Sequence, residues 1–449
     1  MKRISNFVGL KVYFIGIGGI SMSGLAKIML SQGAIVSGSD ISTNQLEVHK
    51  LRTLGVKIND AHLPENITTD IDLVVYNSAI KEDNPELKRA KVLNIKTMER
   101  AEMLGLIADN CNYVISISGT HGKTTTTALI SEIFVFAGLN PTVHIGGESI
   151  NLGSNTVIGG NKYFIVEACE YCNSFRYLHS DCGLILNVEA DHLDYYKDLE
   201  DIYTAFVGFA HNSNCVIVDK SVNLSYKNKT IIGIEWVAKN IKFSSSGYDY
   251  DVYHKGTFWA SIRLNVLGRH NITNSLFAIV VADKYGIDKA KIVEAIARFK
   301  GVARRCEKIG EEGKIPIIID YAHHPTEIGA SIRGIREEYL GPLIIFQPHT
   351  YTRTLALFNE FKSVFGKEKD LILYPTYPAR EVEILGGRAI DLAINLPNSI
   401  YARDFNELLE IIKDKLNLQH FDAVLILGAG DLAEKMREYY LQISAKNLK

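Results

Sequence analysis

The eight residues Ser118-Gly119-Thr120-His121-Gly122-Lys123-Thr124-Thr125 constrain this chain more than any other stretch. They follow an apolar, β-rich run at 113–117 and lead into a helical pattern at 123–137. A strand that enters a helix through a glycine-rich turn belongs to an α/β layer, with helices on both faces of a parallel sheet. The turn also carries a chemistry. Backbone N–H groups at a helix N-terminus converge on one small volume, and the helix dipole adds partial positive charge there. A lysine at the helix start reaches β- and γ-phosphates, and the following threonine hydroxyl can ligate the phosphate-bridging magnesium. Gly119, Thr120, His121, Gly122, Lys123, Thr124 and Thr125 therefore read as a triphosphate cradle. The usual loop has a glycine five positions before Gly122, where this chain has Ile117. The shorter G-x-x-G-K-T form is rarely used by kinases and switch GTPases.

The same strand–turn–helix grammar recurs along the chain. Its 449 residues suggest about three domains, and three blocks are legible: 1–108, 109–309 and 310–449. In the first, a strand at 11–15 meets Gly16-Ile17-Gly18-Gly19, then a helical pattern at 21–32, a strand at 34–37 ending near Asp40, and an apolar run at 72–76 before Asn77-Ser78-Ala79. The second holds the phosphate loop and strands at 163–166, 183–186 and 215–218. Alternating residues at 241–267 predict an antiparallel insertion, followed by helices at 271–285 and 289–299. The third has strands at 315–319, 343–346, 371–374 and 423–427, with Gly386-Gly387 as a turn. The predicted fold is α/β in three domains: an N-terminal Rossmann-like domain, a central P-loop ATPase domain with an antiparallel insertion, and a C-terminal Rossmann-like domain. No solenoid repeat or low-complexity tract is present.

Composition excludes several classes. The formal net charge of −2 gives no overall footprint for nucleic acid. No run reaches the roughly 18 apolar residues of a membrane helix, and the first apolar run, 12–17, is too short for a signal-peptide core. The expectation is a cytoplasmic protein without membrane insertion. Six cysteines in such a chain are expected to be free thiols. Cys169-x-x-Cys172 has no second pair at zinc-site spacing, so it reads as coincidence.

Further candidates lie at strand ends, where open α/β sheets bind ligands. Gly16, Gly18, Gly19 and Ser21 approach the dinucleotide fingerprint, with Asp40 as the ribose acid, but Ser21 replaces the third glycine. The turn reads as a second diphosphate cradle, against a dehydrogenase or a plain tight turn. Glu167 ends an apolar strand and suits magnesium, while His192, after Asp191, is a softer ligand. Asn271 and Asn274 share a helix face and can read the edge of a base; helix N-capping by Asn271 is the plain alternative. Arg305, beside Arg304, stands where an arginine can reach a phosphate, against a surface salt bridge. Asp320 and His323-His324 end another apolar strand.

Together these segments resemble the Mur ligases. The resemblance runs over nearly the whole chain in order: GIGGISMSGLA from Gly16, GSD ending at Asp40, NSAI from Asn77, ERAEML from Glu99, SGTHGKTTTT from Ser118, EACEY from Glu167, NVEADHLDYY from Asn187, GRHNITN from Gly268, RRCEKIG from Arg304, DYAHHPTE from Asp320, QPHTYTRT from Gln347 and GAGD from Gly428. It is closest to the branch that joins L-alanine to UDP-N-acetylmuramate. The resemblance implies that Gly16, Gly18, Gly19, Ser21, Asp40 and Ser78 bind the UDP part. It implies that the cradle with Asn271, Asn274, Arg305 and Asp320 binds ATP, and that Thr124, Glu167 and His192 hold metal. His324, His349 and Arg353 then face the amino-acid and muramyl substrates. Lys123, Glu167, His192, Arg305 and Asp320 form the catalytic set.

The implied reaction is phosphorylation of the lactyl carboxylate by ATP, attack of the L-alanine amine on the acyl phosphate, and release of amide, ADP and phosphate, in peptidoglycan precursor synthesis. The implied state is a monomer or weak homodimer. A murein tripeptide recycling ligase and, in another class, a P-loop ATPase or kinase-type switch are the competing readings. Two departures stand out. Thr350 occupies a position where members of this branch often carry arginine. Lys197 is the sole lysine between 193 and 210, too close to Asp191-His192 to match the carbamylated lysine of other Mur ligases, which this branch is not expected to need.

Overall fold

Three separate sheets organise the chain, each fed by strands that end in a glycine or polar turn. The structure is a computed structural model that describes residues 7–42, 45–189, 195–244, 247–379, 381–418 and 421–447. By contacts the chain divides into two units. One comprises Met1–Ile241, Asp249–Leu264 and Ile272–Val302; the other comprises Lys242–Tyr248, Asn265–Asn271 and Ala303–Lys449.

The first sheet has five strands: β1 (Lys11–Ile15), β2 (Ile35–Ser39), β3 (Lys57–Asn59), β4 (Leu73–Tyr76) and β5 (Lys96–Glu99). Their order is β3-β2-β1-β4-β5 and every pairing is parallel. The order reverses at β1, so the turn after β1 opens at a topological switch point. Strand β2 runs two residues beyond the 37 expected from sequence, because parallel partners on both sides, β1 and β3, hold Gly38 and Ser39 in register. A Cβ on Gly38 would lie 2.4 Å from the Phe14 carbonyl oxygen, so the strand needs glycine there.

The second sheet has ten strands: β6 (Tyr113–Ser118), β7 (Pro141–Ser149), β8 (Ser154–Val157), β9 (Gly160–Glu167), β10 (Cys182–Ile185), β11 (Val216–Asp219), β12 (Lys229–Ile232), β13 (Trp236–Ser244), β14 (Gly247–His254) and β15 (Thr257–Leu264). Their order is β15-β14-β13-β12-β11-β10-β6-β9-β7-β8. Strand β6 is flanked by β9 and β10, both parallel to it, again a switch point. The insertion begins at Trp236 rather than at 241. Lys255-Gly256, both at positive φ, join β14 to its neighbour β15 in the geometry of a two-residue hairpin. One apolar cluster runs from Phe14, Leu25 and Met29 of the first sheet region to Phe164, Phe206 and Phe209 of the second. These two sheets therefore share a core within one unit.

The third sheet holds β16 (Glu307–Glu312), β17 (Ile315–Asp320), β18 (Pro342–Phe346), β19 (Leu371–Leu373), β20 (Ser399–Tyr401) and β21 (Ala423–Leu427), in the order β16-β17-β21-β18-β19-β20. All pairings but β16–β17 are parallel. Ile318, Ile344 and Leu425 pack on one face with Phe361 and Phe365. Ile317, Ile345 and Val424 pack on the other with Leu408 and Met436. Burial on both faces explains why β17, β18 and β21 read as continuous apolar runs.

Beneath the first sheet lies a fully buried carboxylate. Glu86 accepts hydrogen bonds from Tyr13 (2.7 Å), Ser39 (2.6 Å), His62 Nδ1 (2.9 Å) and Asn66 Nδ2 (2.7 Å). Burial alone would raise its pKa, but these partners, His62 first, outweigh it and hold the carboxyl below its usual value. Its stabilisation is present above the ordinary carboxylate range and is lost as pH falls through the lower, folded-state pKa. Replacing Glu86 by Ala is expected to cost about 3 kcal/mol or more, since several buried donors lose their acceptor at once. Urea unfolding at neutral and acid pH tests this. An unchanged midpoint at neutral pH, or an acid-side loss of stability identical in both proteins, would contradict the role given to Glu86.

Candidate functional site

The phosphate loop sits at the C-terminal end of β6, an interior strand of the second sheet. Gly119 (φ +139) and Gly122 (φ +85) occupy conformations that disfavour a side chain. Space excludes one too. A Cβ on Gly119 would lie 2.9 Å from Leu186 Cβ, and one on Gly122 would lie 2.8 Å from Asn274 Oδ1. Gly122 caps the helix Lys123–Phe136, whose first turn carries Thr124 and Thr125. Asn187, just after β10, holds the loop from the side. Its Oδ1 accepts His121 N–H (2.8 Å), its Nδ2 donates to the His121 carbonyl (3.0 Å), and its carbonyl accepts Thr120 N–H (3.2 Å). Thr120 Oγ1 accepts Glu189 N–H at 2.9 Å.

Lys123 does not reach into solvent. Its Nζ donates to the carbonyls of Gly119 (2.6 Å) and Thr120 (3.0 Å) and to Glu170 Oε1 (2.8 Å). The side chains are 14% and 3% exposed, so this is a buried ion pair. Burial works against the ammonium charge, but Glu170, foremost among its neighbours, outweighs that cost and leaves the lysine pKa raised. Glu170 is fixed by the segment after β9, where Tyr196 donates its hydroxyl to the Glu170 carbonyl at 2.5 Å.

Glu167 ends β9 in register with Ile117 of β6. Its Oε2 accepts Gly146 N–H at 2.8 Å. Two successive glycines of β7 make room at this corner. A Cβ on Gly146 would lie 2.7 Å from Glu167 Oε2, and one on Gly147 would lie 3.2 Å from Thr124 Cγ2. Thr124 and Glu167 thus flank the same glycine pair. Their oxygen donors suit a hard cation such as magnesium, which takes one or two carboxylates and completes its shell with water and phosphate. His192 lies outside the described residues. Cys169 and Cys172 are free thiols, as are the other four cysteines.

In the first sheet region, Gly16 (φ +75) and Ile17 donate their N–H groups to the Ser39 carbonyl. Gly18 N–H donates to Asp40 Oδ2 at 2.9 Å, and Ser42 N–H to Asp40 Oδ1 at 2.8 Å. Asp40 is buried and braces the turn with both oxygens. Gly19 precedes the helix Ile20–Ser31. Ser21 meets His144 Nε2 of β7 at 2.9 Å and accepts from Arg100 at 3.2 Å. Asn155 Nδ2 donates to the Ile20 carbonyl at 3.0 Å, tying this glycine turn to the second sheet. Burial, with Arg100 and Lys27 nearby, pushes the His144 pKa down to about 3, so its ring is neutral. Ser78 is exposed beyond β4.

Asn271 and Asn274 occupy the first turns of the helix His270–Lys284. Asn271 lies inside the helix rather than at its cap, and its Nδ2 donates to the Leu267 carbonyl at 2.6 Å. Asn274 is the residue against Gly122.

The third sheet gathers its own cluster at the ends of β17, β18 and β21. Asp320 is buried. Its Oδ2 accepts Cys306 N–H (2.9 Å) and its Oδ1 accepts Ala322 N–H (2.9 Å) and Ser331 Oγ–H (3.0 Å). Arg305 stacks over Tyr321 with its guanidinium carbon 5.4 Å from the ring centre. Arg304 lies over the same ring and donates to the Gly428 and Gly430 carbonyls. His324 caps the helix Pro325–Arg336, its Nδ1 accepting Thr326 N–H in a capping box with Glu327. The histidine that faces His349 is His323, with ring centres 6.0 Å apart. His349 stacks on Tyr377 and meets Arg353 at 3.3 Å. Thr350 has φ +66 and precedes the short helix bearing Arg353.

Sequence reasoning missed Glu170 and Asn187 as working residues, although both lie inside the quoted motifs, and it gave the substrate role to His324 rather than to its neighbour His323. The available signal was a second acid three residues after Glu167 and an amide at the end of β10.

Comparison with known proteins agrees along the chain. The sequence matches the Mur ligase family catalytic domain over residues 11–111, the Mur ligase middle domain over 117–282, and the Mur ligase, glutamate ligase domain over 304–430. It is similar to the UDP-N-acetylmuramate–L-alanine ligase of Acetivibrio thermocellus, at 41% identity covering 96% of this chain and 95% of that protein. Against the enzyme of the same name from Clostridium tetani the identity is 42%, covering 94% and 96%. Among solved structures, UDP-N-acetylmuramate-alanine ligase MurC from Thermotoga maritima superposes with a TM-score of 0.78 at 26% identity, covering 98% of this chain and all of that one. With three consecutive domain matches and relatives this similar over nearly their whole length, the chain belongs to the Mur ligase family.

Proposed function

We propose that this protein is an ATP-dependent ligase that joins L-alanine to the lactyl carboxylate of UDP-N-acetylmuramate, giving ADP and phosphate, in peptidoglycan precursor synthesis. The observation that carries this is the near-full-length similarity to ligases named for that reaction, together with a phosphate loop built on a buried lysine. A carboxylate is a poor electrophile, and phosphorylation gives it a leaving group. The N–H groups of the loop and the helix dipole bind the phosphates, and Lys123 neutralises charge that builds during phosphoryl transfer. Magnesium, held by Thr124 and Glu167 with His192 at the remaining implied position, would add Lewis-acid neutralisation of the phosphates. Gly16, Gly18 and Gly19 would let the diphosphate of the sugar nucleotide approach this turn closely, their own N–H groups being held by Ser39, Asp40 and Gly16. Asp40 orders that turn, and Ser21 and Ser78 would complete the contacts to the UDP part.

Asn274 shapes the loop beside Gly122, and Asn271 sits one turn before it for the adenine. Arg305 supplies positive charge to the nucleotide, and Asp320 fixes the segment that carries Arg305. His349 and Arg353 receive the amino-acid carboxylate, and His324 orders the neighbouring helix. The domain limits proposed are 1–108, 109–309 and 310–449, although the last boundary falls inside β16 (Glu307–Glu312) of the third sheet. Among the described residues no helix is long and apolar enough to cross a membrane. A cytoplasmic monomer or weak homodimer fits a reaction fed by ATP.

Phosphate release from ATP, measured with each substrate omitted in turn, tests the reading. Release is expected to need both UDP-N-acetylmuramate and L-alanine. Release without alanine would make the protein an ATPase, and release with a tripeptide but not alanine would make it a recycling ligase. Lys123→Ala is expected to lower the rate about 100-fold or more, the scale of one lost charge stabiliser; a near-normal rate removes the phosphate-loop assignment. Glu170→Gln leaves a buried ammonium without its counter-charge, at a cost of about 3 kcal/mol. Because nucleotide phosphates supply that charge, thermal melting should show the loss chiefly without ATP. An equal loss with and without ATP would mean that Glu170 and the phosphates do not share Lys123.

A further inference from the structure

Forming an amide requires a neutral amine, and L-alanine arrives as an ammonium ion. The reading above leaves open which group takes its proton. Two imidazoles in the third-sheet cluster answer through their fixed tautomers. His323 Nδ1 lies 3.0 Å from the Tyr321 carbonyl oxygen. A carbonyl only accepts, so Nδ1 carries the hydrogen and the neutral ring keeps its lone pair on Nε2, at the opposite corner. His349 Nδ1 lies 3.3 Å from Arg353 NH1. A guanidinium only donates, so His349 Nδ1 is the acceptor and its Nε2 carries the hydrogen. The two rings, 6.0 Å apart between centres, are therefore locked in opposite senses. One offers a base and the other a donor beside a cation.

That arrangement is complementary to an α-amino acid, which presents a donor ammonium and an acceptor carboxylate one carbon apart. We propose that His323 Nε2 takes the proton from the ammonium of the amino-acid substrate while His349 Nε2–H and Arg353 hold its carboxylate. The inference rests on the ligase reading above and adds a catalytic residue to it. In the step, an N–H bond of the ammonium breaks and its proton passes to His323, which becomes imidazolium. The freed lone pair attacks the acyl carbon, the C–O bond to phosphate breaks, and inorganic phosphate leaves with the electron pair. The nitrogen's second proton goes with that phosphate, and His323 returns its proton to solvent.

The surroundings suit the role. The groups facing His323 are Glu327 (Oε2 3.4 Å from Nδ1), the Tyr321 carbonyl and ring, His349, Arg305 and Arg353. Burial lowers its pKa first and the two arginines lower it further, against Glu327 and the Tyr321 carbonyl, so the ring is neutral and able to accept at neutral pH. His349 is pushed down to about 4 by burial and then by Arg353, which keeps it a neutral donor. Glu327 also accepts the His323 and His324 backbone N–H groups, which fixes the ring against the start of its helix.

The test compares two nucleophiles in the full enzyme with ATP and UDP-N-acetylmuramate. Hydroxylamine is neutral near neutral pH and needs no base, whereas L-alanine does. His323→Asn keeps an amide able to donate to Tyr321 and removes Nε2. The loss with alanine is expected to exceed the loss with hydroxylamine by about 100-fold at neutral pH. That excess should shrink as pH rises toward the amine's own pKa, where solvent deprotonates it. His323→Gln provides the same comparison if the asparagine variant does not fold. Equal losses for both nucleophiles at every pH would make His323 structural, and no excess loss with alanine would also overturn the proposal. If wild-type enzyme forms neither product, the ligase reading fails instead.

Discussion

A lysine ammonium buried to the extent of Lys123 persists only if its charge is met inside the protein. Here Glu170 meets it at 2.8 Å, and two loop carbonyls complete its hydrogen bonding. The pair fixes more than one side chain. It joins the helix after β6 to the segment after β9, and Tyr196 pins that segment from further along the chain. Because the lysine also donates to Gly119 and Thr120, the conformation of the glycine turn depends on the same charge. The carboxylate and the carbonyls hold the ammonium at the loop, so contacts within the protein fix the conformation of the loop. Preorganisation of that kind gives an electrostatic site its strength, since no dipoles need turning when charge develops.

The same construction appears in each sheet. A polar side chain near the C-terminal end of a strand accepts backbone N–H groups of an adjacent turn. Asp40 accepts from Gly18 and Ser42, Asn187 from His121, Glu167 from Gly146, and Asp320 from Cys306 and Ala322. Each acceptor satisfies N–H groups that strand termination would leave unpaired. What remains for a ligand is the rest of the turn and the cations beside it.

This explains what the sequence made legible. Each sheet was expected because strand–glycine–helix junctions announce parallel layers, and β6, β10 and β17 lie within a residue of the ranges anticipated for them. The strands that sequence did not announce are β3, β5, β7, β8, β12, β16 and β20. Several are three or four residues long, and β7 carries a proline, a histidine and two glycines. Composition cannot identify such a strand, since its glycines are required by Glu167 and Thr124, which come from elsewhere in the chain. The residue types at the site were legible for the same reason as the fold: phosphate loops need glycine, lysine and threonine at fixed spacing. Their contacts were not. Asp40 looked from sequence like a free acid for a ribose, yet both its oxygens serve the backbone. His324 looked like a substrate residue, yet its ring nitrogen closes a helix, and its neighbour His323 meets His349.

The histidine pair shows why that last distinction lies beyond sequence. Adjacent residues at a strand-to-helix junction point in different directions, so His323-His324 offers two equivalent candidates on paper. The helix Pro325–Arg336 decides between them. Its first turn needs an acceptor at the cap, and His324 supplies one to Thr326. Glu327, at the third helical position, then gathers the N–H groups of both histidines. With His324 committed to the helix, His323 turns its Nδ1 to the Tyr321 carbonyl and is left with one basic nitrogen. A capping requirement of the fold thus assigns the chemistry of the neighbouring side chain. Moving the cap would move the base, which ties the start of this helix to the amine chemistry as firmly as any residue in direct contact with substrate.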